Sequence, residues 1–279
     1  MKKQGRGSPF TPGTGFAPPL LAGRDAETRV LADVLDGLRA PRAKESARPV
    51  RICGPRGVGK TVLLNWIRRR AGKESVRAVS WSRLKGSDCP GESLEDLMCN
   101  LAGPEERIAA TIGRLGVTLL EADGRVVPAA QAERGYGKIM PEVLAEEPVL
   151  LVMDEVHHYD PGSLGKLLRK NCELMEAGLP LAMVLAGTPR LDRHLHKADP
   201  GFLDRSEGLY VNLLSDDAAR DAMRVPFEEE GAVVAPAALE VMATMADNYP
   251  YFTQLVGEAV WDAMEEAGRR DVDAEIVAT

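Results

Sequence analysis

The run Gly54-Pro55-Arg56-Gly57-Val58-Gly59-Lys60-Thr61, continued by Val62, is where residue types and spacing speak most directly for chemistry in this 279-residue chain. A glycine separated by four residues from Gly-Lys-Thr, after the apolar run Val50–Cys53, fits a loop that wraps phosphate. Glycines let the backbone curl so that successive N–H groups point at phosphate oxygens. A helix beginning at the lysine adds partial positive charge. In such a loop the Lys60 ammonium reaches the outer phosphates and the Thr61 hydroxyl ligates Mg²⁺. The expected cofactors are ATP and Mg²⁺, with Gly54 through Val62 contacting the nucleotide.

A phosphate loop of this kind needs an acid at the end of another buried strand. The sequence offers Asp154 and Glu155 after the apolar run Val149–Met153. Asp154 would hold the metal through Thr61 or a water. Successive side chains on a strand alternate in direction, which would turn Glu155 toward an attacking water whose proton it could accept. His157 and His158 follow and receive no role. A third apolar run ends at Thr188, whose hydroxyl could sense the terminal phosphate or orient the water, or merely cap a helix at Pro189.

These residues need a scaffold, and the periodicity supplies one. Short apolar strands at 50–54, 75–82, 148–155, 179–188 and 209–214 alternate with helical patterns at 23–40, 60–72 (stopped by Gly72) and 162–178. Between 92 and 147 the pattern is weaker, with helical stretches and a possible strand pair. Strand–helix alternation predicts an α/β fold, a parallel sheet covered by helices on both faces. From Ser215 onward the pattern is helical only, at roughly 215–230, 236–247 and 251–268. The expected organisation is a flexible tail over 1–20, an α/β core over 21–214 and a small helical lid over 215–279. The tail is assigned on composition: four glycines, four prolines and no acidic residue in twenty positions.

Composition narrows the functional classes. No apolar run approaches the roughly 20 residues that span a bilayer, and the N-terminus lacks the apolar core of a secretory signal. Cys53, Cys89, Cys99 and Cys172 are scattered without a C-x-x-C pair, so reduced thiols and a cytoplasmic location are expected. The net charge of −7 is uneven: residues 215–279 hold 15 acids against 4 bases. That segment is a poor candidate for gripping phosphate backbones. Arg68, Arg69 and Arg70 read as a solvated last helical turn rather than a nucleic-acid patch.

Gly54–Thr61, Val149–Glu155 and the run Leu185–Pro189, in this order and spacing, resemble the AAA+-related P-loop ATPases with a strand added between the two Walker motifs. The opening Leu21–Glu27 is similar to the box that precedes the loop in replication-initiator, archaeal-type and STAND ATPases. Residues 247–261 resemble the lid segment of bacterial and archaeal-type members. The resemblance covers roughly residues 20–268. It implies a three-layer α/β/α core with a helical lid, places Gly23 and Arg24 by the adenine, and offers Arg205 as an arginine finger; the alternative for Arg205 is local pairing with Asp204 or Glu207. The lid segment lacks the usual second-sensor arginine; Tyr249, Pro250 and Tyr251 stand in that region. Members often continue into a winged helix, whereas this sequence ends at Thr279. DNA association is therefore expected only through a partner or the weakly basic front part.

The functional expectation is an ATP-binding and ATP-hydrolysing switch that uses Mg-ATP to control lid position or assembly. Its partners would be ATP and ADP, a second copy of the chain in a homo-oligomer, and a protein partner, with no membrane. The alternatives are a small-molecule P-loop kinase, which usually carries an arginine-rich lid, and a nucleotide-dependent scaffold with little turnover. The acidic C-terminal segment disfavours the kinase.

Overall fold

The computed structural model describes residues 7–13, 15–39, 48–82 and 140–278. The elements expected between 92 and 139, together with Cys89 and Cys99, lie outside them. The described residues fall into two compact units.

The first unit comprises Val30–Cys53 and Ile67–Leu209. It holds most of a five-stranded sheet built from β1 (Val50–Cys53), β2 (Arg77–Ser82), β3 (Val149–Asp154), β4 (Leu181–Gly187) and β5 (Glu207–Tyr210), in the order β2-β3-β4-β1-β5. The pairs β2–β3, β3–β4 and β4–β1 are parallel. The C-terminal ends of these four strands therefore share one edge of the sheet. Ligands of open α/β sheets gather at that edge. All of β4, and β3 as far as Met153, is buried on both faces, as their unbroken apolar sequences require.

On one face Leu151, Met153, Met183 and Leu185 pack with Leu164, Leu167, Leu168 and Cys172 of α3 (Pro161–Glu176) and with Leu191 and Leu195 of α4 (Leu191–Ala198). Asp160 caps α3, its carboxylate accepting the Ser163 N–H at 2.8 Å, with Pro161 in the first turn. That bond holds the Asp160 carboxyl below the usual range. Helices α3 and α4 meet closely, since a Cβ on Gly165 would lie 2.1 Å from the Ala198 carbonyl oxygen. Burial pushes the Cys172 thiol up to about 11, so it stays protonated and inert at neutral pH.

The second unit comprises Met1–Arg29, Gly54–Trp66 and Tyr210–Thr279. Its helices are α6 (Asp216–Glu229), α7 (Pro236–Ala246), α8 (Pro250–Glu266) and α9 (Ala274–Val277). Met223, Phe227, Met242, Trp261 and Met264 form its core. The segment is not wholly helical: β6 (Val233–Val234) and β7 (Asp271–Val272) form a two-residue parallel ladder too short to leave a periodic signal.

Three further boundaries differ from the sequence reading. Helix α2 (Lys60–Lys73) runs through Gly72 without stopping. A single glycine costs a helix only about 1 kcal/mol, which the rest of the turn absorbs. The last strand is Glu207–Tyr210, and the residues from Val211 to Ser215 leave the sheet. Within the stretch read as a flexible tail, Phe10 is 2% exposed and belongs to the core of the second unit. The Thr11 N–H donates to Gln254 Oε1 at 3.2 Å. One buried aromatic ring anchors a segment whose average composition argues against order.

Candidate nucleotide site

The phosphate loop leaves the C-terminal end of β1 and enters α2 at Lys60. Gly57 and Gly59 have φ of +80° and +96°, conformations that side-chain-bearing residues rarely adopt. Gly54 is required for a different reason: a Cβ there would lie 2.2 Å from the Val211 carbonyl oxygen. Lys60 is 6% exposed, and its Nζ donates to the carbonyls of Gly54 at 2.9 Å and Pro55 at 2.6 Å. The ammonium thus arches back over its own loop. Val58 is fully buried, whereas Pro55, Arg56 and Gly57 are exposed and Thr61 and Val62 half-buried.

Arg24 braces this loop. Its guanidinium is 6% exposed and donates to the Val58 carbonyl at 3.2 Å, the Asn212 carbonyl at 2.6 Å and Glu27 Oε1 at 3.0 Å. Gly23 beside it has φ +62°, and a Cβ would come within 2.5 Å of Ala218 Cβ. The structure therefore brings Gly23 and Arg24 to the loop and to the start of α6.

Three residues around the loop have no assigned role in the sequence reading. Asn65 Nδ2 donates to the Gly15 carbonyl at 2.7 Å, and a Cβ on Gly15 would lie 3.0 Å from Thr61 Cγ2. Tyr249, which precedes α8, donates its hydroxyl to the Arg56 carbonyl at 2.5 Å. Its ring covers Gly57, where an added Cβ would lie 2.9 Å from Tyr249 Cε1. The tyrosine in the region of the missing second-sensor arginine contacts the phosphate loop itself.

The acidic residues belong to the sheet unit. Asp154 closes β3, and its Oδ1 accepts the Glu155 N–H at 2.8 Å. Glu155 does not continue the strand. It adopts φ +51°, ψ +39° and starts a short 3₁₀ helix, Val156–His158. The separation of the two carboxylates thus comes from a left-handed turn, not from strand alternation, because the chain leaves the sheet one residue earlier than the apolar run suggests. The turn brings Glu155 Oε2 to 3.3 Å from His157 Nε2 and 3.9 Å from His158 Nε2.

Strand β4 lies between β1 and β3, so Thr188 follows the middle strand of the three. Its carbonyl accepts the Cys53 thiol at 3.3 Å and the Leu191 N–H at 2.8 Å. Arg205 ends α5 (Phe202–Arg205) and pairs with Asp199 at 2.7 Å, not with the sequence neighbours Asp204 or Glu207. Asp199 is nearly buried and six residues back, a distance that helix α5 folds up and sequence proximity does not reveal. Among the described residues no helix is long and apolar enough to cross a membrane.

A parallel sheet whose first strand runs into a Gly-rich loop and then a helix is the arrangement of a P-loop nucleotide-binding protein. More narrowly, the chain belongs to the AAA ATPase domain family, whose profile matches residues 20–185. Solved structures agree in fold. Cdc6p from Pyrobaculum aerophilum is 17% identical with a TM-score of 0.64, over 95% of this chain and 68% of that one. The Orc1 protein of Aeropyrum pernix in complex with DNA is 16% identical with a TM-score of 0.60, over 94% and 65%. The RuvB Holliday junction branch migration motor of Thermotoga maritima is 14% identical with a TM-score of 0.54, over 92% and 68%. At these identities the likeness is one of fold, and the chain spans about two thirds of each of those proteins. No curated protein matches the sequence.

Proposed function

We propose that this protein is an Mg-ATP-dependent switch that binds and hydrolyses ATP and couples nucleotide occupancy to its C-terminal helices. The observation that carries the reading is the loop itself. Two positive-φ glycines, a third packed on a backbone oxygen and a buried lysine arched over the loop are the parts a polyphosphate requires. The Thr61 hydroxyl and the Asp154 carboxylate are hard oxygen donors, the chemistry Mg²⁺ selects. When bound, Mg²⁺ neutralises charge on the phosphates.

In this reading Lys60 exchanges its two carbonyl partners for phosphate oxygens. Glu155 accepts a proton from the attacking water, and Thr188 orients that water. Gly23 and Arg24 border the base, with Arg24 also keeping the loop in shape. The Tyr249 hydroxyl on the Arg56 carbonyl gives the lid segment a direct handle on the loop, which favours a switch over a passive scaffold. A role for Arg205 in a neighbouring copy requires its pair with Asp199 to open. Assembly with a second copy, a protein partner, and any approach to DNA belong to the same proposal; the structure of Orc1 in complex with DNA supports only the last by likeness of fold.

The test is nucleotide binding by the parent chain and by Lys60→Ala, measured with ATP and Mg²⁺ by calorimetry. Tight binding by the parent and its loss in the variant are expected. Equal binding by the two would overturn the reading.

A further inference from the structure

We propose that Glu155, His157 and His158 form a binding site for a transition-metal ion of the zinc class, and that loading this site withdraws the Glu155 carboxylate from catalysis. The binding half stands on geometry alone; the catalytic half rests on the role of Glu155 proposed above.

The left-handed turn at Glu155 and the 3₁₀ helix behind it fold one carboxylate and two imidazoles onto the same spot. One ligand atom from each of the three residues lies within 4.8 Å of the others. Nitrogen and oxygen donors about 2.0–2.2 Å from a tetrahedral ion sit about 3.4 Å from one another. The Glu155 Oε2 to His157 Nε2 separation is already 3.3 Å, and the 3.9 Å to His158 Nε2 closes with a small ring rotation.

Glu155 Oε2 supplies the second observation. The atom itself is shielded from solvent and accepts no hydrogen bond among the described residues, while the Glu155 side chain as a whole is 38% exposed and the His157 imidazole stands at ion-pair distance. A buried carboxylate oxygen without a donor is unfavourable, and a cation between it and the imidazoles would remove the deficit. Two imidazole nitrogens and one carboxylate oxygen are a donor set for Zn²⁺ and its neighbours in the first transition row. Mg²⁺ prefers an all-oxygen octahedron. The site therefore discriminates against the ion expected beside Asp154. His158 is 41% exposed and gives solvent a way in.

Three protein ligands leave one tetrahedral position for water. A carboxylate that ligates the ion no longer accepts a proton readily, so the loaded protein keeps its phosphate loop but loses its base. Zinc-class ions would then act as a reversible brake on hydrolysis without competing for the nucleotide.

The test uses the full chain without nucleotide, dialysed against Zn²⁺ in excess Mg²⁺, beside His157→Ala/His158→Ala and the single variant His158→Ala, with circular dichroism to verify folding. The double variant is expected to bind one equivalent less than the parent. The single variant loses one of the three ligands and should bind at least about ten-fold more weakly, the lower end of what the loss of even an outer-shell partner costs. Co²⁺ is the optical probe: visible bands typical of nitrogen and oxygen ligands support the site, and a near-ultraviolet thiolate band assigns the ion to cysteine instead. Equal Zn²⁺ binding by parent and double variant overturns the site. In the turnover arm, Zn²⁺ should slow phosphate release by the parent, with recovery on chelation, and leave the double variant's own rate unmoved. Binding that disappears in the double variant with no Zn²⁺ effect on the parent's turnover overturns the brake. A parent that binds Zn²⁺ yet never hydrolyses ATP sinks the ATPase reading and leaves the site standing.

Discussion

Phe10 and Gly257 should be energetically coupled across 247 positions of sequence. Phe10 is 2% exposed and its ring centroid lies 5.2 Å from that of Phe227, which in turn meets Trp261 at 5.6 Å. A phenylalanine buries about 150–250 Å², worth about 4–6 kcal/mol at 25 cal/mol per Å². Residual burial in the unfolded chain and the retained Cβ lower that to about 3 kcal/mol for Phe10→Ala. Gly257 faces the same ring: an added Cβ would stand 2.4 Å from Phe10 Cε1 and 2.5 Å from Cδ1. Gly257→Ala should therefore cost about 1–3 kcal/mol by overpacking. With Phe10 already truncated, the new methyl meets empty space and the second cost largely disappears. Denaturant titration of the four proteins, followed by the fluorescence of the buried Trp261, gives the coupling energy. A double variant more stable than additivity by at least about 1 kcal/mol is expected. Additivity within about 0.5 kcal/mol would refute the packing of the N-terminal segment against α8.

Gly54→Ala drives a methyl to within 2.2 Å of the Val211 carbonyl oxygen, a backbone atom that cannot swing aside. Loss of ATP binding together with a lower Tm is expected, and an unchanged Tm would contradict the close approach. Tyr249→Phe removes one neutral hydrogen bond, worth about 1 kcal/mol. The Kd for ATP, read by titration, should rise about five-fold; an unchanged Kd would make Tyr249 a bystander. Burial lowers the His194 pKa below its ordinary value, so the unfolded chain takes up a proton more readily there. The corresponding stability is present above about pH 6.5 and lost as pH falls through the folded pKa. The Tm drop between about pH 8 and about pH 5.5 should shrink in His194→Gln, and an identical drop would remove His194 from the effect.

The sheet and the loop were legible because their signals are local. Continuous apolar runs such as Leu181–Gly187 leave little alternative to buried parallel strands, and a Gly-x4-Gly-Lys-Thr loop announces itself at eight positions. What escaped depends on residues far apart in the chain. Nothing in the composition of the first twenty residues signals that Phe10 fills a gap over Gly257, or that the Gly15 carbonyl meets Asn65. Tyr249 was visible only as a departure from a family pattern, and its contact with Arg56 depends on tertiary packing. Glu155 shows the opposite failure. Strand alternation was extended one residue too far, and a single left-handed turn replaced it, gathering the two histidines that the sequence left without a purpose.

Phosphate release by Glu155→Gln tests the central claim most directly. Under saturating Mg-ATP the parent chain should turn over while the variant retains bound ATP and hydrolyses it about 10²–10⁴-fold more slowly, the usual contribution of a general base. Because the substitution replaces one carboxylate oxygen with an NH₂ group of about the same size, an unchanged melting curve separates chemistry from folding. Equal rates of phosphate release from the two proteins, or no release from the parent, would contradict the account.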